Sequence, residues 1–185
     1  MSATHARKKP FLRLATAAVA MVAALGMAAC SGGAATSSSS SSAQVGDRTP
    51  EQIKESGEIV IGIFSDKAPF GYIDADGKPA GYDVVYGDRI AADLGVTAKY
   101  VPVDAAARTE VLASNKVDIT LANFTVTPER AEKVDFANPY FKVSLGVVSP
   151  TSAEITDVSQ LAGKTLIVTK GTTAEAYFEA NHPEV

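Results

Sequence analysis

Tryptophan is absent from the 185 residues, cysteine occurs once and histidine twice, at His5 and His182. A single thiol builds no disulfide framework, and so few cysteines and histidines build no Cys/His zinc site. A Ser/His/Asp or Cys/His nucleophilic arrangement outside the amino-terminal segment would have to use His182, so binding ranks above covalent catalysis. Acid outweighs base: 21 Asp and Glu stand against 17 Lys and Arg, a net charge of −4. Residues 1–29 hold Arg7, Lys8, Lys9 and Arg13 and no acid, so the remainder keeps 13 bases against 21 acids, a net charge of −8. Nucleic acid needs a basic footprint, and that balance argues against such a partner. No motif implies a cofactor. What the chain does have is 46% hydrophobic and 21% charged residues, the proportions of a globular protein.

The first thirty residues form an address. Arg7, Lys8 and Lys9 precede the 16-residue stretch Leu14–Ala29, built almost only of Ala, Val, Leu and Met and ending at Cys30. A spanning helix needs about 20 apolar residues, so the stretch is short for one, and the small residues before Cys30 favour cleavage. An uncleaved anchor is the alternative. The segment resembles a bacterial lipoprotein signal, although Met27 stands where leucine is usual. That resemblance implies that residues 1–29 are removed and that Cys30 is lipidated, rather than being a buried structural thiol. Ser31–Ser42 contains only Ser, Gly, Ala and Thr and has too little apolar surface to fold, so it reads as a tether. Lipid and tether would hold the body at the outer face of a membrane, with its partner in that membrane.

From Thr49 onward, strand and helix signals alternate. Thr49, Pro50 and Gln52 give a capped helix start, and a short helix ends near Gly57. Glu58–Phe64 (EIVIGIF) reads as a strand covered on both faces. Asp74–Gly77 is a turn between two extended pieces, not a calcium loop, because the twelfth position holds Val85. Asp83 is expected to cap a helix running to Leu94 and stopped by Gly95. A strand is then expected at Thr97–Val103, a helix at Ala105–Ala113 and a strand at Val117–Leu121. Thr127 and Pro128 start another helix. Val143–Ser149 and Lys164–Thr169 read as strands of a second sheet, with short helices from Asp157 and after Gly171–Thr173. This alternation predicts an α/β fold with mainly parallel strands.

Three ordered blocks now carry a resemblance: Ile59–Asp83 (IVIGIFSDKAPFGYIDADGKPAGYD), Ser114–Phe141 (SNKVDITLANFTVTPERAEKVDFANPYF) and Gly163–Phe178 (GKTLIVTKGTTAEAYF). Over Glu58–Glu184 the chain resembles the extracellular solute-binding proteins of amino-acid ABC transporters, family 3, and within it the branch binding cysteine and the acidic amino acids. The resemblance implies a periplasmic-binding-protein-like two-lobe fold (type II) with the ligand between the lobes. It places a nearly complete lobe one at 48–142 and a crossover strand with the start of a truncated lobe two at 143–185, after the signal (1–29) and the lipidated cysteine and tether (30–47).

An amino acid brings a carboxylate, an ammonium and a side chain, each needing a partner once water is excluded. A bidentate arginine suits the carboxylate. By resemblance Arg130 and Thr125 hold it, Asn123 adds backbone or amide contacts, and Thr172 and Thr173 meet it from lobe two. The alternatives are a surface pair of Arg130 with Glu129 or Glu132, and an ordinary helix cap at Gly171–Thr173. Arg108 would meet an acidic ligand side chain, or else lie on a solvated helix face. Phe64 and Phe70 would cover the ligand or simply pack in the core, and Lys67 shares their loop. The aspartate that pairs with the ammonium in the family has no aligned residue before Val185. The function implied is capture of a polar amino acid (cysteine, glutamate or aspartate) and its delivery to an ABC permease, without enzymatic activity. The alternatives are a dehydratase on the same fold and an extracytoplasmic sensor.

Overall fold

The computed structural model describes residues 45–185; the signal, Cys30 and the tether up to Gln44 lie outside the described residues. Helix α1 (Pro50–Ser56) starts as its sequence dictates, with Thr49 and Gln52 forming a reciprocal capping box and Gly57 ending it in the left-handed conformation. Strand β1 (Glu58–Ile63) follows and is buried from Ile59 onward. It lies at the centre of a three-stranded parallel sheet. On one side is β5 (Thr97–Pro102), with Glu58 opposite Thr97, and on the other β6 (Ile119–Leu121), with Ile61 opposite Ile119. Between β1 and β5 the chain makes a small antiparallel sheet of β2 (Asp66–Lys67), β3 (Gly71–Ile73) and β4 (Pro79–Ala80), then helix α2 (Tyr82–Leu94), ended by Gly95.

The alternation of a strand divides β1 between two cores. Ile59, Ile61 and Ile63 pack with Ile53, Val84, Ala91 and Leu121 under α1 and α2. Val60 and Phe64 pack with Val103, Val111, Val117 and Ala122 under α3 (Arg108–Ala113). Each such side chain contributes about 1.5–3 kcal/mol on full burial, which explains why a run with no polar face ends in the middle of the sheet.

Asp118, just before β6, fastens the beginning of the described chain to this sheet. Its Oδ1 accepts from the Gly46 N–H and Arg48 Nε, both at 2.9 Å, while Oδ2 accepts from the Val60 N–H at 2.7 Å and from Arg48 Nη2. Gly46 has φ +86°, and a Cβ there would lie 2.5 Å from the Asn115 Cα, so only glycine brings the backbone that close.

Four local expectations are corrected. Asp83 does not cap α2: Gly81 is the N-cap, and Asp83 is buried in the first turn, accepting from the Tyr140 hydroxyl at 3.2 Å. Helix α3 begins at Arg108 instead of Ala105, because the Asp104 carboxylate accepts from the Ala107 N–H at 2.8 Å and holds a turn open before it. The third parallel strand starts at Ile119 instead of Val117, since Asp118 turns its side chain to Arg48. Neither Val143–Ser149 nor Lys164–Thr169 is a strand, and among the described residues no sheet follows Leu121. Their residues lack a neighbour to take up the ladder hydrogen bonds, and Val148 and Ile167 are 99% and 92% exposed. After the one-turn α4 (Pro128–Ala131) the chain has no regular secondary structure until two 3-10 turns at Thr151–Ala153 and Val158–Leu161. Helix α5 (Thr173–Asn181), capped by Thr172, closes the described chain.

Candidate functional site

The carboxyl ends of β1 and β6 open into a cavity of about 680 Å3. Phe64 leaves β1 there, and Asn123 and Thr125 follow β6, the position in which open α/β sheets place their sites. The cavity wall brings together all eight residues expected from the sequence: Phe64, Phe70, Arg108, Asn123, Thr125, Arg130, Thr172 and Thr173. Lys67 joins them, and among the described residues the wall includes no Asp or Glu. The segments 143–148 and 165–169, which have no regular secondary structure, also line it. A volume of this size suits a small ligand.

Arg108 is only 3% exposed, so the solvated-face alternative falls. Its guanidinium is tied to carbonyl oxygens: Nε to Ala105 at 2.9 Å, Nη1 to Ala122 at 3.0 Å and Asn123 at 2.9 Å, and Nη2 to Gly171 at 2.9 Å. Asn123 offers its carbonyl there with φ +47°, a left-handed conformation that asparagine tolerates. Arg130 is half-buried and pairs with neither Glu129 nor Glu132. Its Nη1 donates to the Thr125 carbonyl at 2.7 Å and its Nη2 to Gly171 at 2.9 Å, while its backbone N–H is held by Thr127 Oγ1 at 3.3 Å.

The Phe124 ring lies between the two guanidiniums, 4.6 Å from Arg108 and 4.8 Å from Arg130, and the Phe64 ring is 5.5 Å from Arg108. Phe124 thus ties the two arginines together from outside the cavity lining, facing a second hollow that Glu129, Glu175 and Glu179 also line, and it is not among the residues expected from the sequence. The available signal was its position between Asn123 and Thr125, but a ring shared by two cations is visible only once α3 and α4 are brought together. Burial pulls the Arg108 pKa down to about 10, with the neighbouring charge of Arg130 adding to the effect and Asp104 opposing it. Burial also lowers that of Arg130, against the pull of Glu129. Among the described residues neither guanidinium is bonded to a carboxylate. Two adjoining cations facing only neutral oxygens make a seat for an anion.

Thr172 and Thr173 lie where a capped helix start places them. Thr172 Oγ1 accepts from the Glu175 N–H at 3.3 Å and donates to the Thr169 carbonyl at 2.7 Å. The Gly171 N–H donates to Glu175 Oε2 at 2.7 Å. Asp83 stands apart from the cavity wall, in a group with Tyr82, Tyr86 and Tyr140.

Residues 59–183 match the model of the bacterial extracellular solute-binding proteins, family 3. The chain belongs to this family. Two solved structures are similar over about three quarters of the chain. The solute receptor for L-cysteine of Neisseria gonorrhoeae is 56% identical with a TM-score of 0.72, over 75% of this chain and 57% of that one. The cysteine-binding protein of Campylobacter jejuni is 52% identical with a TM-score of 0.71, over 74% and 56%. Among curated relatives, the L-arginine-binding protein of Pseudomonas aeruginosa is 33% identical over 66% of this chain and 48% of its own length. The L-cystine-binding protein of Escherichia coli is 29% identical over 70% and 50%. The chain therefore spans about half the length of these curated relatives. The periplasmic-binding-protein-like fold and the family resemblance both stand. These relatives are amino-acid-binding proteins, and members of the family are extracellular.

Proposed function

We propose that this chain is the substrate-binding component of an amino-acid importer: a lipoprotein anchored through Cys30 outside the cytoplasm, which captures a polar amino acid and hands it to an ABC permease in the same membrane. The observation that carries this reading is the pairing of Arg108 and Arg130 on the wall of a cavity whose lining, among the described residues, includes no Asp or Glu, with the Phe124 ring packed against both guanidiniums behind it. Arg130 keeps N–H donors to spare and takes the ligand carboxylate, with Thr125 and Asn123 framing it. Thr172 and Thr173 approach from the other side, and Phe64 and Phe70 cover the apolar part of the ligand. Arg108 holds the site together and adds its charge.

Cysteine is favoured by the two similar solved structures, whereas Lys67, Arg108 and Arg130 on one wall favour a second carboxylate, as in glutamate or aspartate. The same wall supports binding over dehydratase chemistry, because a general acid has no carboxyl group there to serve it. Isothermal titration with cysteine, glutamate, aspartate, glutamine and histidine tests the reading. One of them should bind at micromolar strength, worth about 8 kcal/mol, and Arg130→Ala should abolish the heat. A folded protein that gives no heat with any of the five would sink it.

A further inference from the structure

Two cations and one neutral oxygen meet at Gly171. The Nη2 atoms of Arg108 and Arg130 both donate to its carbonyl at 2.9 Å, which is how two arginines would share one oxygen of a carboxylate. The contact depends on the absence of a side chain. A Cβ on Gly171 would lie 2.5 Å from the Ala106 Cα and 2.8 Å from the Ala105 oxygen, and the residue has φ +76°. Other groups in the turn are engaged internally: the Gly171 N–H is bonded to Glu175, and Thr172 is bonded to Thr169 and Glu175. The Glu175 carboxylate on the Gly171 N–H polarises the adjoining peptide groups and supports a strong contact at this turn.

We propose that the Gly171 carbonyl is an internal substitute for the ligand's carboxylate: a latch that occupies the arginine pair in the unliganded protein and that an incoming amino acid must displace. This rests on the reading of Arg108 and Arg130 as an anion seat. A carboxylate oxygen makes charge-assisted hydrogen bonds about twice as strong as those of a neutral carbonyl, so a true ligand displaces the latch while an uncharged analogue does not. The latch also sets affinity. If it is closed nine-tenths of the time, the apparent dissociation constant rises about tenfold.

The test uses the full chain in detergent. Gly171→Ala cannot dock as the wild type does, for the steric reasons above. Titration with L-cysteine and with L-glutamate should therefore show the variant binding about tenfold more tightly than the wild type. Equal or weaker binding would mean that the Gly171 carbonyl does not compete with the ligand for the arginines, which overturns the latch. A second arm needs no ligand. In a Cys30→Ser background, nitroxides at Ser114→Cys and Asn181→Cys, both exposed positions, should report one narrow distance when residue 171 is glycine and a broad distribution when it is alanine. Identical distributions overturn the latch whether or not any amino acid binds. If neither protein binds an amino acid while the distributions still differ, the docking of the Gly171 turn on the arginines stands, and it is the anion-seat reading beneath the latch that fails.

Discussion

Arg108 and Arg130 meet the same ring and the same carbonyl, yet they differ in what their removal leaves behind. Arg108 is enclosed by four carbonyl oxygens, and the one on Ala122 belongs to a residue with no exposed surface. Arg108→Ala would orphan those acceptors and open a void beside Phe64, so we expect a loss of about 3 kcal/mol or more in urea unfolding. Arg130 is partly open and its partners can turn to water. Arg130→Ala should cost about 1 kcal/mol of stability while eliminating measurable amino-acid binding. Arg130→Lys retains the charge but not the planar fork and should recover little of the binding. Equal stability losses in the two alanine variants would refute this division of labour. By resemblance the sequence assigns the carboxylate to Arg130, but the packing role of Arg108 is not legible in it. Three of the four acceptors of Arg108 lie 14, 15 and 63 positions along the chain, at Ala122, Asn123 and Gly171, and only the folded backbone brings them together.

Elements that depend on their own neighbours were legible in the sequence, and those that depend on distant partners were not. The Thr49–Gln52 box, the glycine stops after α1 and α2, the Thr127–Pro128 start and the Thr172 cap all follow from residues within a turn of one another. The Ile/Val-rich run of β1 also identified itself, because no polar face was left to point at water. Segments 143–149 and 164–169 have the same composition without becoming strands, since a strand is made by the neighbour that receives its hydrogen bonds. Asp118 shows how far one side chain can reach across elements: it joins the approach to α1, the middle of β1 and the entrance to β6. Burial raises its pKa, but the Arg48 hydrogen bond and charge and the Gly46 and Val60 N–H groups outweigh that and hold it below the usual carboxylate value. Asp118→Ala would leave Arg48 without its carboxylate partner and two backbone donors unpaired, so a loss of about 3–5 kcal/mol is expected in chemical denaturation. A loss below about 1 kcal/mol would show that the staple is not holding the sheet.

For the molecule as a whole, two buried aspartates give the pH profile opposite slopes. Burial lifts Asp83 from 3.8 to about 6, against the pull of the Tyr140 hydroxyl, and its Oδ2 has no partner among the described residues. Between those two values the folded state keeps a proton that the unfolded chain has released, so stability falls as pH rises through that window. Asp118 acts in reverse. Its folded value lies below 3.8, so its contribution is complete above that pH and is lost as pH drops through the depressed value. Thermal melts from pH 2 to 8 should show both limbs. Asp83→Asn should flatten the limb between about 4 and 6 while leaving the acid limb in place, and retention of the full slope in that variant would assign it to another group. Surface behaviour at neutral pH then depends on segments 143–149 and 164–169, where Val148 and Ile167 stand open to solvent beside backbone that, among the described residues, pairs with no strand. Unpaired apolar backbone invites a second chain to pair with it. Replacing both residues by lysine touches no core contact, so stability should change by no more than about 0.5 kcal/mol. Sedimentation velocity across a concentration series should then show less self-association in the double variant than in the wild type. An unchanged profile would mean that these segments do not drive association.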